Sequence, residues 1–241
     1  MDLSRVSIGL PGATPHGVLV ALAPQIEAAG FRGLWLNDNP GGDSLAGLTA
    51  VARVTSGLHL GTGVIPLDRR PAASILPALG DLPLDRLSLG VGTGAARHGL
   101  ALVERSVAEL RAGTTASIVV GALGPKMRSL AARVADGVLL NWITPEAASL
   151  VEALETRKIL YARTALSPDA LPALQAEADR YGSYPAYAAN FERIGAEPID
   201  TTIQRVERID DYLAVVDELV LRVITREPTL REYENFITAV Q

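Results

Sequence analysis

The sequence predicts an α/β fold, a closed (β/α)8 barrel of parallel strands. Three observations lead there. Eight short runs rich in β-branched residues or leucine recur along the 241 residues. Longer helical patterns separate them, which is the signature of βαβ units. The hydrophobic content is 48%, as expected where a parallel sheet is covered on both faces.

The strand runs fall at 6–10, 34–38, 58–65, 87–92, 118–123, 137–142, 159–164 and 219–225. The first helical pattern, 18–29, stops at Gly30, a left-handed cap position. Asp43 or Ser44 can cap the next helix, which runs to Val54. Gly124 can cap a helix whose first residue is Pro125, and Thr144 can do the same before Pro145. An open doubly wound sheet would also accommodate such units. Its dinucleotide turn needs G-x-G-x-x-G after the first strand, where this chain has "GLPGATPHG". The richer "GVGTGAARHG" follows the fourth strand, with Ala95 in place of the third glycine. Eight units match the barrel's own number, so the barrel is preferred.

One stretch breaks the rhythm. The helical material of 168–212, between the seventh and eighth strands, is too long for one crossover and contains "YGSYPAYAANF". Those aromatics form a binding surface or, in the preferred reading, pack against the barrel or a twin subunit. No Gly/Ser linker interrupts the chain, so 1–241 is expected to be a single domain.

Composition excludes several functions. There is no cysteine for a disulfide, a thiolate metal site or a nucleophile. His16, His59 and His98 stand in separate segments without a second ligand at suitable spacing, so no metal is expected. The net charge is −5 and the arginines form no stripe, which argues against nucleic acid. No apolar run is long enough for a bilayer. The start "MDLSRVSIGLPG" lacks the basic and apolar parts of a signal peptide. A cytoplasmic location is expected, with no membrane partner.

In such barrels the chemistry sits at the C-terminal strand ends. Those ends read "LNDNPGGD", "GTGVIPLDRR", "GVGTGAARH", "VGALGPKM" and "LLNWITPE". Their small residues let a flat or phosphorylated ligand approach backbone N–H groups. At Gly124-Pro125 a helix N-terminus faces the mouth, and its dipole favours an anion, with Lys126 adding charge. Gly-Pro is also simply an efficient helix start. The local sequence leaves both readings open.

"GFRGLWLND", "LHLGTGVIPLDRRPA", "DRLSLGVGTG" and "VGALGPKMRSLAARVADGVLLNW" resemble the luciferase-like monooxygenase superfamily, and within it the deazaflavin F420-dependent oxidoreductases. The resemblance implies coenzyme F420, or alternatively FMN, bound at the barrel mouth. It places the family's Asp-His pair on Asp38 and Asn39, as the catalytic candidates. It puts the non-proline cis peptide that props the ring at Gly63-Val64. The phosphate-side loops fall on Gly92, Thr93 and Gly94, and on Gly121, Ala122, Leu123, Gly124, Lys126 and Met127. Asn141 and Trp142 would line the same mouth. Two departures stand out: Asn39 replaces a histidine, and Ala95 and Ala96 stand where some relatives carry a glutamate as general acid. The usual excursion between strands four and five is also short.

Asp38 either bonds the cofactor or caps the next turn. Arg69 and Arg70 either hold an anionic cofactor group or are solvated. Trp35 is expected in the core, and Glu104, Arg105 and Glu109 on a solvated face. His98 would substitute for the missing acid only if its helix begins inside the mouth. The expected function is a flavin- or F420-dependent oxidoreductase or monooxygenase-like enzyme that moves hydride to or from a small organic substrate. The alternative is a non-catalytic relative that only binds the cofactor, and an unrelated phosphate-binding barrel lyase or isomerase is a third. A homodimer is expected, joined near 41–54 and 71–79.

Overall fold

The computed structural model describes residues 1–151 and 156–241. Strands β1 (Val6–Pro11), β2 (Gly33–Asn37), β3 (His59–Thr62), β4 (Ile65–Pro66), β5 (Leu87–Gly92), β6 (Ser117–Gly121), β7 (Gly137–Asn141), β8 (Arg157–Thr164) and β9 (Glu218–Val223) are all parallel to their neighbours. β3 pairs with β5, and β9 with β1, so the sheet closes. β3 and β4 are one stave interrupted at Gly63–Val64, whose peptide is cis. The described residues therefore form a closed eight-stave (β/α)8 barrel. Where the sequence shows one run over 58–65, the structure breaks it at that peptide.

Helices α1 (His16–Ala28), α2 (Ser44–Ala52), α3 (Ala72–Ala78), α4 (Gly99–Gly113), α5 (Pro125–Val134) and α6 (Pro145–Ser149) follow successive staves. Their ends obey local chemistry. Asp43 accepts the Ala46 N–H to cap α2, and Thr144 accepts that of Ala147 to cap α6. Gly30 follows α1 with φ +84°, the left-handed conformation that favours glycine. After β8 come α7 (Leu171–Gly182), α8 (Pro185–Ile194) and α9 (Arg208–Leu213), and α10 (Leu230–Val240) ends the chain. Tyr233, Phe236, Ile237 and Val240 of α10 repeat at helical spacing and are buried.

Alternate strand residues face the helices and the barrel axis. Leu34 and Leu36 belong to the core under the helices. Trp35, Val119, Leu139, Ile159, Tyr161 and Val220, with Val64 against them, form a separate cluster in the barrel. Trp35 is core, as its alternation predicts. Its ring lies so close to Gly61 that a Cβ there would sit 2.2 Å from it.

The N-terminal end of the barrel is closed by charge. Glu218, wholly buried, accepts from Ser7 Oγ (2.6 Å), Trp35 Nε1 (2.8 Å) and Arg32 Nε (2.9 Å), and also pairs with Arg157. Burial would raise its carboxyl pKa, but Arg157, Ser7 and Arg32 outweigh that and hold it below the usual range. Removing one partner from such a group typically costs about 3–5 kcal/mol.

The segment between β8 and β9 packs on the barrel. Trp142 packs against Tyr181 with the rings tilted and centroids 4.7 Å apart, and meets Phe191 edge-on at 5.8 Å. Asn190 donates to the Trp142 carbonyl at 2.8 Å. The tyrosine-rich stretch thus covers the end of β7. Trp142, expected to line the mouth, is 1% exposed beneath α7 and α8.

Candidate active site

The C-terminal mouth has two unlike sides. On one, β5 and β6 end in Gly92 and Gly121 around the Val64 side chain. A Cβ on Gly92 would lie 2.8 Å from Val64 Cγ2, and one on Gly121 3.0 Å from its Cγ1. Glycine keeps this surface flat.

The part of the rim beside Gly63 is polar. Asn37, the last residue of β2, accepts at Oδ1 from Tyr161 Oη (3.1 Å) and from Arg222 Nε (2.9 Å), and its amide donates to the Gly63 carbonyl. Gly9 and Gly63 leave room for the Tyr161 ring, because a Cβ on either would come within 2.8 Å of it. Burial raises the Tyr161 phenol pKa far above its usual value, with Arg222 and Arg163 opposing. The phenol is therefore a hydrogen donor at neutral pH. Arg163 is 5% exposed, donates to Glu177 at 3.1 Å, and lies 4.4 Å from the Trp142 ring and 4.7 Å from that of Tyr181. Its Nη1 is buried with no hydrogen-bond partner among the described residues. Such a donor typically costs about 1–3 kcal/mol.

The sequence candidates distribute unevenly over this surface. Asp38 stands at its expected strand end, but its carboxylate accepts from Ser44 Oγ (2.9 Å) and pairs with Arg70 (3.2 Å). Arg70 also reaches Asp43, and Arg69 donates to the Asp38 carbonyl. The two arginines therefore brace the β2 loop. Asn39 is exposed beyond it. Thr93 bonds the Gly94 carbonyl, and Gly94 has φ +59°. The next N–H, on Ala95, is taken by the Asp68 carboxylate at 2.8 Å. The protein's own carboxylate thus occupies the 92–94 turn, and the turn is a poor place for a phosphate. His98 is exposed at the start of α4.

The α5 start is different. Gly124 is its N-cap with no side-chain hydrogen bond, and Pro125 follows. The N–H groups of the first turn are therefore uncapped. Arg128 donates from Nη2 to the Leu123 carbonyl at 2.8 Å, while its Nε is buried without a partner among the described residues. Arg193 Nη2 stands 3.9 Å from where a Gly124 Cβ would be. Burial, then the neighbouring Arg193 charge, lowers the Arg128 pKa. Two guanidinium groups thus crowd one positive helix end. Lys126 is exposed, Met127 packs against the core and Ala122 is buried. Asn141, the last residue of β7, is half-buried. A depression of about 420 Å3 at the other end of β6 includes Arg111, which is already paired with Asp136.

Sequence reading missed Asn37, Tyr161, Arg163, Glu177, Arg222, Arg128 and Arg193. A signal existed for some of them. Arginines at inward positions of the otherwise apolar strands "RKILYART" and "ELVLRV" are costly to bury without a purpose.

Known proteins share parts of this sequence and the whole of its fold. Residues 2–105 match the luciferase-like monooxygenase family. A Methanolobus tindarius protein named 5,10-methylenetetrahydromethanopterin reductase is 30% identical over 158 residues, covering 50% of this chain and 48% of that protein. The match thus spans about half of the relative's length. Among solved structures, an F420-dependent secondary alcohol dehydrogenase in complex with an F420-acetone adduct superposes with a TM-score of 0.74. It is 13% identical, with 100% of both chains covered. The oxygenating constituent of 3,6-diketocamphane monooxygenase from the CAM plasmid of Pseudomonas putida, in complex with FMN, gives 0.66 at 10% identity, covering 97% of this chain and 96% of that one. At such identities the structural likeness speaks for the fold. Residues 2–105 are thus similar to luciferase-like monooxygenases, and the whole chain shares its barrel fold with these F420- and FMN-bound structures.

Proposed function

We propose that this protein is an oxidoreductase that binds coenzyme F420, or in second place FMN, in the barrel mouth and moves hydride between it and a small organic substrate. The observation that carries the reading is the uncapped N-terminus of α5 with Arg128 and Arg193 converging on Gly124. It lies on the same side as the flat surface of Gly92, Gly121 and Val64. The helix end and the guanidinium groups suit a phosphate, and the glycine-flanked Val64 suits the face of a planar ring. When bound, the cofactor would supply the hydride-carrying ring. Asn37, Tyr161 and Arg222 would then face the substrate from the polar part of the rim.

The non-catalytic reading draws support from a specific observation. The Asp38 carboxylate is committed to Arg70 and Ser44, and Ala95 offers no acid. Absorbance titration with F420 and with FMN, followed by reoxidation of reduced cofactor in air and with small ketones, separates the readings. Saturable binding with ketone-dependent reoxidation supports the enzyme. Binding without turnover supports the carrier, and binding of neither cofactor ends both. We read 1–241 as one domain working in the cytoplasm as a homodimer, with α2 and α3 as the contact.

A further inference from the structure

We infer that the polar wall of the mouth is a carboxylate site, in which the two oxygens of an organic acid substrate bridge Arg222 and Arg163. The inference rests on the reading of the mouth as the reaction site. Arg163 on β8 and Arg222 on β9 are register partners, side by side on adjacent strands. Like charges so placed repel one another and are unfavourable unless something lies between them.

A single carboxylate of the protein, Glu177, acts on both guanidinium groups and balances only one of the two charges. Glu177 of α7 takes Arg163 Nε at 3.1 Å and shares its other oxygen with Arg180 at 3.8 Å. Among the described residues Arg222 has no carboxylate within ion-pair distance. Its guanidinium is nevertheless fixed, by Nε on Asn37 and by the Val223 carbonyl. Arg163 is 5% exposed, and its buried Nη1 has no hydrogen-bond partner among the described residues. The Tyr161 hydroxyl, on the same wall, is shared with Asn37. Two oriented guanidinium groups against one shared carboxylate match a planar oxyanion, because each planar N–H fork fits the two oxygens of a carboxylate. A purely structural pair would be better off with a neutral residue in one position.

Titration calorimetry with benzoate, on the protein with and without FMN, tests this. Benzamide serves as the uncharged control and inorganic phosphate as the competitor for the α5 end. Benzoate should bind the wild type saturably, and benzamide should not. Arg222→Gln should weaken benzoate about tenfold or more, the effect of losing a charged hydrogen-bond partner. It should leave FMN affinity unchanged and thermal stability unchanged or higher. Equal benzoate affinity in the variant, no saturable benzoate binding to the wild type, or loss of FMN affinity at unchanged benzoate affinity would each overturn the inference. Should neither FMN nor F420 bind while Arg222-dependent benzoate binding persists, the cofactor reading falls and the carboxylate site stands.

Discussion

The Tyr161 hydroxyl donates to the Asn37 side chain at 3.1 Å, tying the end of β2 to β8 across the mouth. Asn37 is the centre of this wall, because Arg222 Nε shares the same oxygen and the Gly63 carbonyl takes the amide. Tyr161→Phe removes one of these bonds and should cost about 1 kcal/mol. Asn37→Leu leaves three polar groups without their partner and should cost about 3 kcal/mol or more. Urea unfolding measures both. Equal losses in the two variants would show that Asn37 is not the centre.

Cofactor affinity should depend on Gly124 more than on any other small residue of the α5 start. A Cβ there meets only Arg193 Nη2, at 3.9 Å, so Gly124→Glu has room to fold. Its carboxylate would lie beside the guanidinium groups and compete with a phosphate. The variant should lose most F420 or FMN affinity while its melting temperature holds or rises. Unchanged affinity in the folded variant would move the phosphate elsewhere.

The barrel was legible because its causes are local. Seven of the eight apolar runs, Gly30 after α1, the Asp43 and Thr144 caps and the Gly124-Pro125 start are each written within a few neighbouring residues and stand within about two residues of where the sequence puts them; only the run at 58–65 is broken, at Gly63–Val64. The mouth was legible only in part. Asp38 stands at its strand end, yet its role depends on Arg70, and the Asp68 carboxylate reaches the Ala95 N–H from a different loop. Trp142 reads as lining until α7 and α8 fold over it. Contacts of that kind join segments distant in sequence, such as Asn37 with Arg222. Spacing does not reveal them.

The oligomeric state offers a separate check. α2 buries Leu45, Leu48 and Val51 in its own barrel and leaves Ala46 outside, and α3 leaves Ala73 and Ser74 outside. Small outer residues permit close helix packing against a second copy. Light scattering at micromolar concentration should give a particle of two chains, and Ala46→Glu with Ala73→Glu should halve its mass. A wild-type particle of one chain's mass contradicts the dimer.

Acid should weaken the fold before any carboxylate protonates, and His59 is the cause. Its Nε2 meets Ser88 Oγ at 2.8 Å, and it faces Glu218, Arg32, Arg157 and Arg86. Burial is the main reason its pKa falls from 6.5 to about 4; the three arginines add to this, and Glu218 opposes it. Between those values the unfolded chain binds a proton that the native state refuses. Stability is therefore full above pH 6.5 and declines as the pH falls toward 4, by about 3 kcal/mol at most. Glu218, whose pKa is depressed, adds a second loss once the pH drops below its ordinary 4.5. His59→Gln keeps a polar partner for Ser88 and does not titrate. Denaturant unfolding from pH 7 to pH 4 should thus show a decline in the wild type that is flattened in the variant above pH 4.5. The Glu218 loss below that point should remain in both. Parallel curves over the whole range would assign the acid sensitivity to other groups.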